Sequence, residues 1–293
     1  MRNLLRFILG LILLGGVIGW IVTAPDPLSA ADVPARDGDA ENGEQVFFAA
    51  GCASCHSAPE AEGEDRLVLA GGRSFPSDFG TFFAPNISPD LEQGIGDWSE
   101  RDFLNAVMRG VSPDGQHYYP AFPYGTYGRA NVEDIQDLWA FMATLPTDAT
   151  PSRAHDVGFP FSIRRSLGGW KMLFSQDDWV VTGDLDPELD RGRYLVEALG
   201  HCGECHTPRN PLGGLQRDAW LTGAPHPSGD GRIPDITPAE LTWSASDIAN
   251  YLNDGFTPNF DSAGGEMVEV IANMSQLPAS DRAAIAAYLR ALP

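Results

Sequence analysis

The chain has 293 residues, a length that suits about two domains. Hydrophobic residues make up 43% and charged residues 20%, the balance of a folded chain and not of a disordered one. With 40 acidic against 19 basic residues the net charge is −21, which repels nucleic acid and leaves solubility or the steering of cationic partners as its use.

Met1 to Arg6 is short and positive, and Phe7 to Ala24 is 18 residues without a charge. That is about the minimum to span a bilayer and longer than the usual apolar region of a cleaved signal peptide. Residues 1–24 are therefore expected to form a membrane anchor. Ser29-Ala30-Ala31, a small-residue cleavage site, is the competing feature. Arg2 and Arg6 place the N-terminus in the cytoplasm and everything after the span on the outer face. Residues 25–38, rich in Pro, Ala and Asp, read as a tether.

From Asp39 the chain repeats itself. Asp39 to Ala50, with Val46 and Phe47 apolar, reads as a helix leading into Cys52-Ala53-Ser54-Cys55-His56. Pro187 to Leu199, with Tyr194, Leu195 and Ala198 as its stripe, leads into Cys202-Gly203-Glu204-Cys205-His206. Cys-x-x-Cys-His is the pattern for covalent haem attachment: two thiols form thioethers to the vinyl groups, and the adjacent imidazole is the proximal iron ligand. A zinc knuckle or a redox pair is the competing reading of Cys-x-x-Cys. Zinc would need further Cys or His at ligand spacing. All four cysteines fall in the two motifs, so none remains for a structural disulfide. The expected cofactors are two covalently bound haem c groups, on Cys52 and Cys55 with His56, and on Cys202 and Cys205 with His206.

The repeat continues downstream. Pro85-Asn86-Ile87-Ser88-Pro89 answers Pro234-Asp235-Ile236-Thr237-Pro238. Ser99 and Asp102 answer Ser244 and Asp247 as capping boxes, each opening a short helix that ends at a glycine, Gly110 or Gly255. The last helices read as Val132–Leu145 and Ala279–Leu292, both closing in Leu-Pro. Met267 lies 12 residues after Gly255 on a Gly-rich loop, where a thioether can reach the open haem face. Twelve residues after Gly110 stands Phe122, which cannot ligate iron. Met142, on the last helix, reads as a core residue, and Met108, on the middle helix, as facing away from iron. The first haem's sixth position is then open to three readings: His117, no protein ligand, or another residue. His117 can equally serve as a hydrogen-bond donor to the haem propionates. His155, His201 and His226 read as surface residues or as neighbours of ligands. The aromatic stretch Thr150 to Asp178 is too apolar for a flexible linker and is expected to pack along both units.

The runs FPFSIRRSLGGWKMLF, RGRYLVEALGHCGECHTPRNPLGG and GGEMVEVIANMSQLPASDRAAIAAYLRALP resemble the cytochrome c subunit of membrane-associated bacterial alcohol, aldehyde and sugar dehydrogenases. HYYPAFPY is similar to that family's Tyr-Pro-Ala-Met-Pro-Tyr segment, and the resemblance covers about Asp39 to Pro293. It implies haem on both motifs, proximal His56 and His206, and distal Met267. Two departures stand out: Phe122 replaces the family's Met, and two Cys-x-x-Cys-His motifs stand where the best-known members have three.

The expected architecture is all-α: two tandem cytochrome c-type haem domains, 39–148 and 181–293, joined by an ordered linker, 149–180, behind an N-terminal transmembrane helix. The expected function is a dihaem electron carrier of the inner membrane, its haem domains facing the periplasm. Its partners would be a dehydrogenase catalytic subunit and, downstream, a quinone or a cytochrome or terminal oxidase, with no nucleic acid. On its own the chain is not expected to be an enzyme. The rival reading is a dihaem peroxidase or sulfur-compound dehydrogenase that uses the atypical first haem.

Overall fold

Helix α1 (Arg2–Val22) has none of its residues buried. Among the described residues it is the one helix long and apolar enough to cross a membrane. The computed structural model describes residues 1–226 and 231–292; Pro293, the expected end of the second Leu-Pro, lies outside them.

Helix α2 (Ala40–Ala49) starts where Asp39 accepts the Glu41 and Asn42 amides. Gly51, at φ 63, then turns the chain into α3 (Cys52–His56). A hairpin of β1 (Ser74–Ser77) and β2 (Gly80–Phe83) follows. Helix α4 (Glu100–Leu104) opens on the Ser99–Asp102 capping box and runs into a wider π-turn, Asn105–Arg109, which Gly110 ends at φ 56. Then come α5 (Tyr124–Tyr127), α6 (Val132–Met142) and, between the repeats, α7 (Ser166–Phe174).

The second set begins with α8 (Pro187–Tyr194), capped by Asp186 and prolonged by a π-turn, Leu195–Leu199. It continues through α9 (Gly203–His206) and a short pair of strands, β3 (Ala224–Pro225) and β4 (Arg232–Ile233). Helix α10 (Ala245–Asp254) has the Ser244–Asp247 capping box and ends at Gly255, φ 79. Helices α11 (Met267–Met274) and α12 (Ala279–Ala291) complete it. The two hairpins are the departure from an all-helical expectation. Each is too short to leave a periodic signal.

Helix α2 packs on α6 and α8 packs on α12, in matching fashion. The crossings are close because each has a glycine at its centre. A Cβ on Gly43 would overlap the Asp137 carbonyl, and one on Gly192 would overlap the Ala284 carbonyl. Phe47, Leu104, Ile135, Leu195, Leu199 and Ile285 belong to one continuous core that draws on both sets.

The two sets also exchange contacts. Helix α11 of the second leans on α3 of the first, where Asn273 Nδ2 donates to Ser54 Oγ at 2.7 Å and Arg66 pairs with Glu269 at 2.7 Å. Helix α5 of the first leans on the π-turn before α9, and Thr126 Oγ1 donates to Glu204 Oε1 at 2.5 Å. Helix α7 touches both sets. Lys171 Nζ donates to the Arg109 and Gly110 carbonyls, and Trp170 Nε1 donates to the Leu212 carbonyl at 2.8 Å.

Candidate haem sites

Each Cys-x-x-Cys-His motif lies on a single helical turn, α3 or the turn entering α9. The spacing brings both cysteines of a motif to one side of the turn. Burial pushes the Cys52 and Cys202 thiols up to about 12 and Cys205 to about 11, and it raises Cys55 as well. Thiols held this firmly in the protonated form are poor redox nucleophiles and poor thiolate ligands. They suit a thiol that adds to a vinyl group.

The histidines are oriented alike. His56 Nδ1 lies 2.9 Å from the Pro85 carbonyl, and His206 Nδ1 lies 2.8 Å from the Pro234 carbonyl. A carbonyl only accepts, so Nδ1 carries the hydrogen and Nε2 keeps its lone pair. A carbonyl behind the ring is how proteins commonly aim a metal-ligating imidazole. Burial lowers both imidazoles below their ordinary value, favouring the neutral form that binds metal.

The accepting carbonyls come from the two Pro-x-Ile-x-Pro repeats. The sequence displays these repeats without revealing their role. Asn86 Oδ1 accepts the Ser88 amide at 2.9 Å, and Asp235 Oδ1 accepts the Thr237 amide at 2.7 Å, so an Asx turn fixes each proline carbonyl. The Gly71 and Gly223 amides donate to the His56 and His206 carbonyls, each at 2.7 Å. The donors present, two free thiols and one aimed imidazole in each place, fit a covalently held haem.

At the positions expected to supply a distal ligand the two sets differ. Met267 opens α11, half-buried, two residues after Gly265. Phe122 packs on the core, its ring 6.0 Å from Tyr127, whose hydroxyl donates to the Ala50 carbonyl beside the first motif. The bridges Val111–His117 and Phe256–Ser262 give His117 the place of Ser262. His117 is buried, and its Nε2 lies 3.0 Å from the Thr23 carbonyl at the end of α1. Among the described residues no hydrogen bond or ring contact joins His117 to Cys52, Cys55 or His56. Met108 and Met142 are both buried in the core.

The remaining histidines each have a partner distant in sequence. His155 Nδ1 accepts the Phe83 amide at 3.1 Å, and His226 lies 3.2 Å from Glu266. His201 bridges the sets: its Nε2 is 3.3 Å from the Ala50 carbonyl and its ring 5.6 Å from Tyr127. Its position just before Cys202 was visible in the sequence, but its partner lies 151 residues away.

A predominantly helical chain with two such donor sets has the make-up of a covalent haem protein. Residues 40–146 match the cytochrome c family. A diheme cytochrome c-type protein of Cereibacter sphaeroides is 53% identical over the whole of this chain, which spans 99% of that protein. The chain belongs to the dihaem c-type cytochromes, and its cofactors are two covalently bound haem c groups. The fructose dehydrogenase cytochrome subunit of Gluconobacter japonicus is 38% identical over 92% of the chain. The cytochrome c subunit of alcohol dehydrogenase (quinone) of Gluconobacter oxydans is 34% identical over 94%. This chain spans only 55% and 60% of those two relatives.

Proposed function

We propose that the chain is a membrane-tethered dihaem subunit that takes electrons from a partner dehydrogenase and passes them towards a quinone or a terminal oxidase. Bound haem c would supply an iron that cycles between two oxidation states. The chain's residues do the rest. Cys52 and Cys55 hold one haem and Cys202 and Cys205 the other, in tandem haem domains spanning 39–148 and 181–293. His56 and His206, aimed by the Pro85 and Pro234 carbonyls, are the proximal ligands, and Met267 is the distal ligand of the second haem. The buried residues around both motifs keep water out.

The observation that carries this reading is the duplicated His–proline carbonyl hydrogen bond behind each motif. The names of the relatives in Gluconobacter support the dehydrogenase partner. Helix α1 supports the tether, and with Arg2 and Arg6 at its N-terminal end the haem domains face the periplasm. The decisive experiment is stopped-flow reduction of the purified haem-loaded chain. Rapid reduction is expected only when the partner dehydrogenase and its substrate are both added. Fast turnover of peroxide or thiosulfate by the chain alone would overturn it.

That outcome would favour the second reading, a dihaem enzyme, which one feature keeps in play. With His117 held on Thr23 and Phe122 in the place of Met, the first haem has no protein ligand opposite His56 in our reading. Carbon monoxide is then expected to bind the reduced first haem and not the second. A low-spin spectrum for both haems, unchanged by carbon monoxide, would contradict this.

A further inference from the structure

The stretch between the two sets carries an apolar surface that the rest of the chain leaves open. Phe159 is 85% exposed, Met172 and Leu173 are each 65% exposed, and Phe161 and Ile163 are nearly half exposed. The same stretch, 157–174, contains Arg164, Arg165 and Lys171 and no acidic residue, in a chain whose net charge is −21.

Its position is fixed by the outer end of α1. Gly168 packs so tightly on Thr23 that a Cβ there would overlap the Thr23 backbone, and one on Gly169 would sit 3.9 Å from the Thr23 methyl. Arg165 lies over the Trp20 ring at 4.2 Å and donates to the Trp20 carbonyl and to Thr23 Oγ1. Met172 and Leu173 follow Gly168 and Gly169 at i+4, so they continue the same stripe of α7 by one turn. The other side of α7 is occupied by protein: Leu167 is buried, Trp170 reaches Leu212, and Phe174 covers Gly214.

We propose that this stripe, Met172 and Leu173 with Phe159, Phe161 and Ile163, is a second membrane contact, seated in an anionic phospholipid surface beside the exit of α1. The inference rests on the reading of α1 as an anchor. A tryptophan at the end of a spanning helix sits at headgroup depth, and residues clamped to Trp20 and Thr23 share that depth. Apolar side chains rimmed by arginines are the chemistry that enters the headgroup boundary and meets anionic lipid. The charge favours lipid over a cationic partner: this is the basic part of an acidic protein.

The test uses the full, haem-loaded chain in phosphatidylglycerol vesicles. Met172→Cys, Leu173→Cys, Ile12→Cys on α1 and Leu91→Cys, another exposed apolar position, are each labelled with benzophenone and irradiated. Lipid adducts are expected at 172 and 173 at several times the yield at 91. Adduct yield at 172 and 173 no higher than at 91 overturns the inference, as does crosslinking there to protein instead of lipid. Adducts at 12 separate the two failures. With lipid at 12 and none at 172 and 173, the anchor stands and the second contact falls. With none at 12 but lipid at 172 and 173, the contact stands without the anchor. An unchanged haem spectrum in every variant shows that folding is intact.

Discussion

Glu197 is a carboxylate with no exposure that ties three parts of the chain together. Its oxygens accept the Val180 amide at 2.5 Å, the Val181 amide at 3.0 Å and the Tyr288 hydroxyl. Glu197→Ala strands these donors in the core, and a loss of about 2–5 kcal/mol in unfolding free energy is expected in denaturant titration. Asp137 does the same at the other end. Burial alone would raise its carboxyl, but the Asp39 amide, Arg36 and Asn42 outweigh it and hold the group below its ordinary 3.8. Its contribution is therefore present above that value and lost as pH falls through the folded one. Asp137→Asn is expected to flatten the acid limb of stability against pH. At the iron, Met267→Ala is expected to abolish the Met–iron charge-transfer band and lower the potential of one haem. A band of undiminished intensity would show that another residue is the ligand. At this scale the sequence was readable wherever chemistry is local. The motifs and caps each announce themselves within a few residues, whereas Glu197 reads as one more acid on a helix.

Among the elements, the repeated helices were apparent from apolar spacing and caps, and α2, α6, α8, α10 and α12 lie where those signals put them. The glycine crossings were not. Gly43 lies nine residues before Cys52 and Gly192 ten before Cys202. The extra residue is taken up in the π-turn Leu195–Leu199, so a rigid search for equal spacing misses the pair. Gly43→Ala and Gly192→Ala each force two helices apart, and each is expected to cost about 1–3 kcal/mol or more in thermal unfolding. The expected cost is the same for both, because each overlaps a carbonyl of the facing helix.

For the molecule as a whole, duplication was plain in the sequence, but the way the halves meet was not. Ser54 and Asn273 are 219 residues apart, and no local pattern pairs them. Because one core draws on both halves, calorimetry of the haem-loaded chain is expected to show a single cooperative transition. Two resolved transitions would mean that the halves are held together only by α7.

The reciprocal seating of α5 on the second motif and α11 on the first has the form of an isologous pair, in which patch i meets patch j and j meets i. A chain with only one such half would leave both seats bare and would satisfy them with its own twin. The present molecule therefore has the geometry of a homodimer whose subunits became one polypeptide.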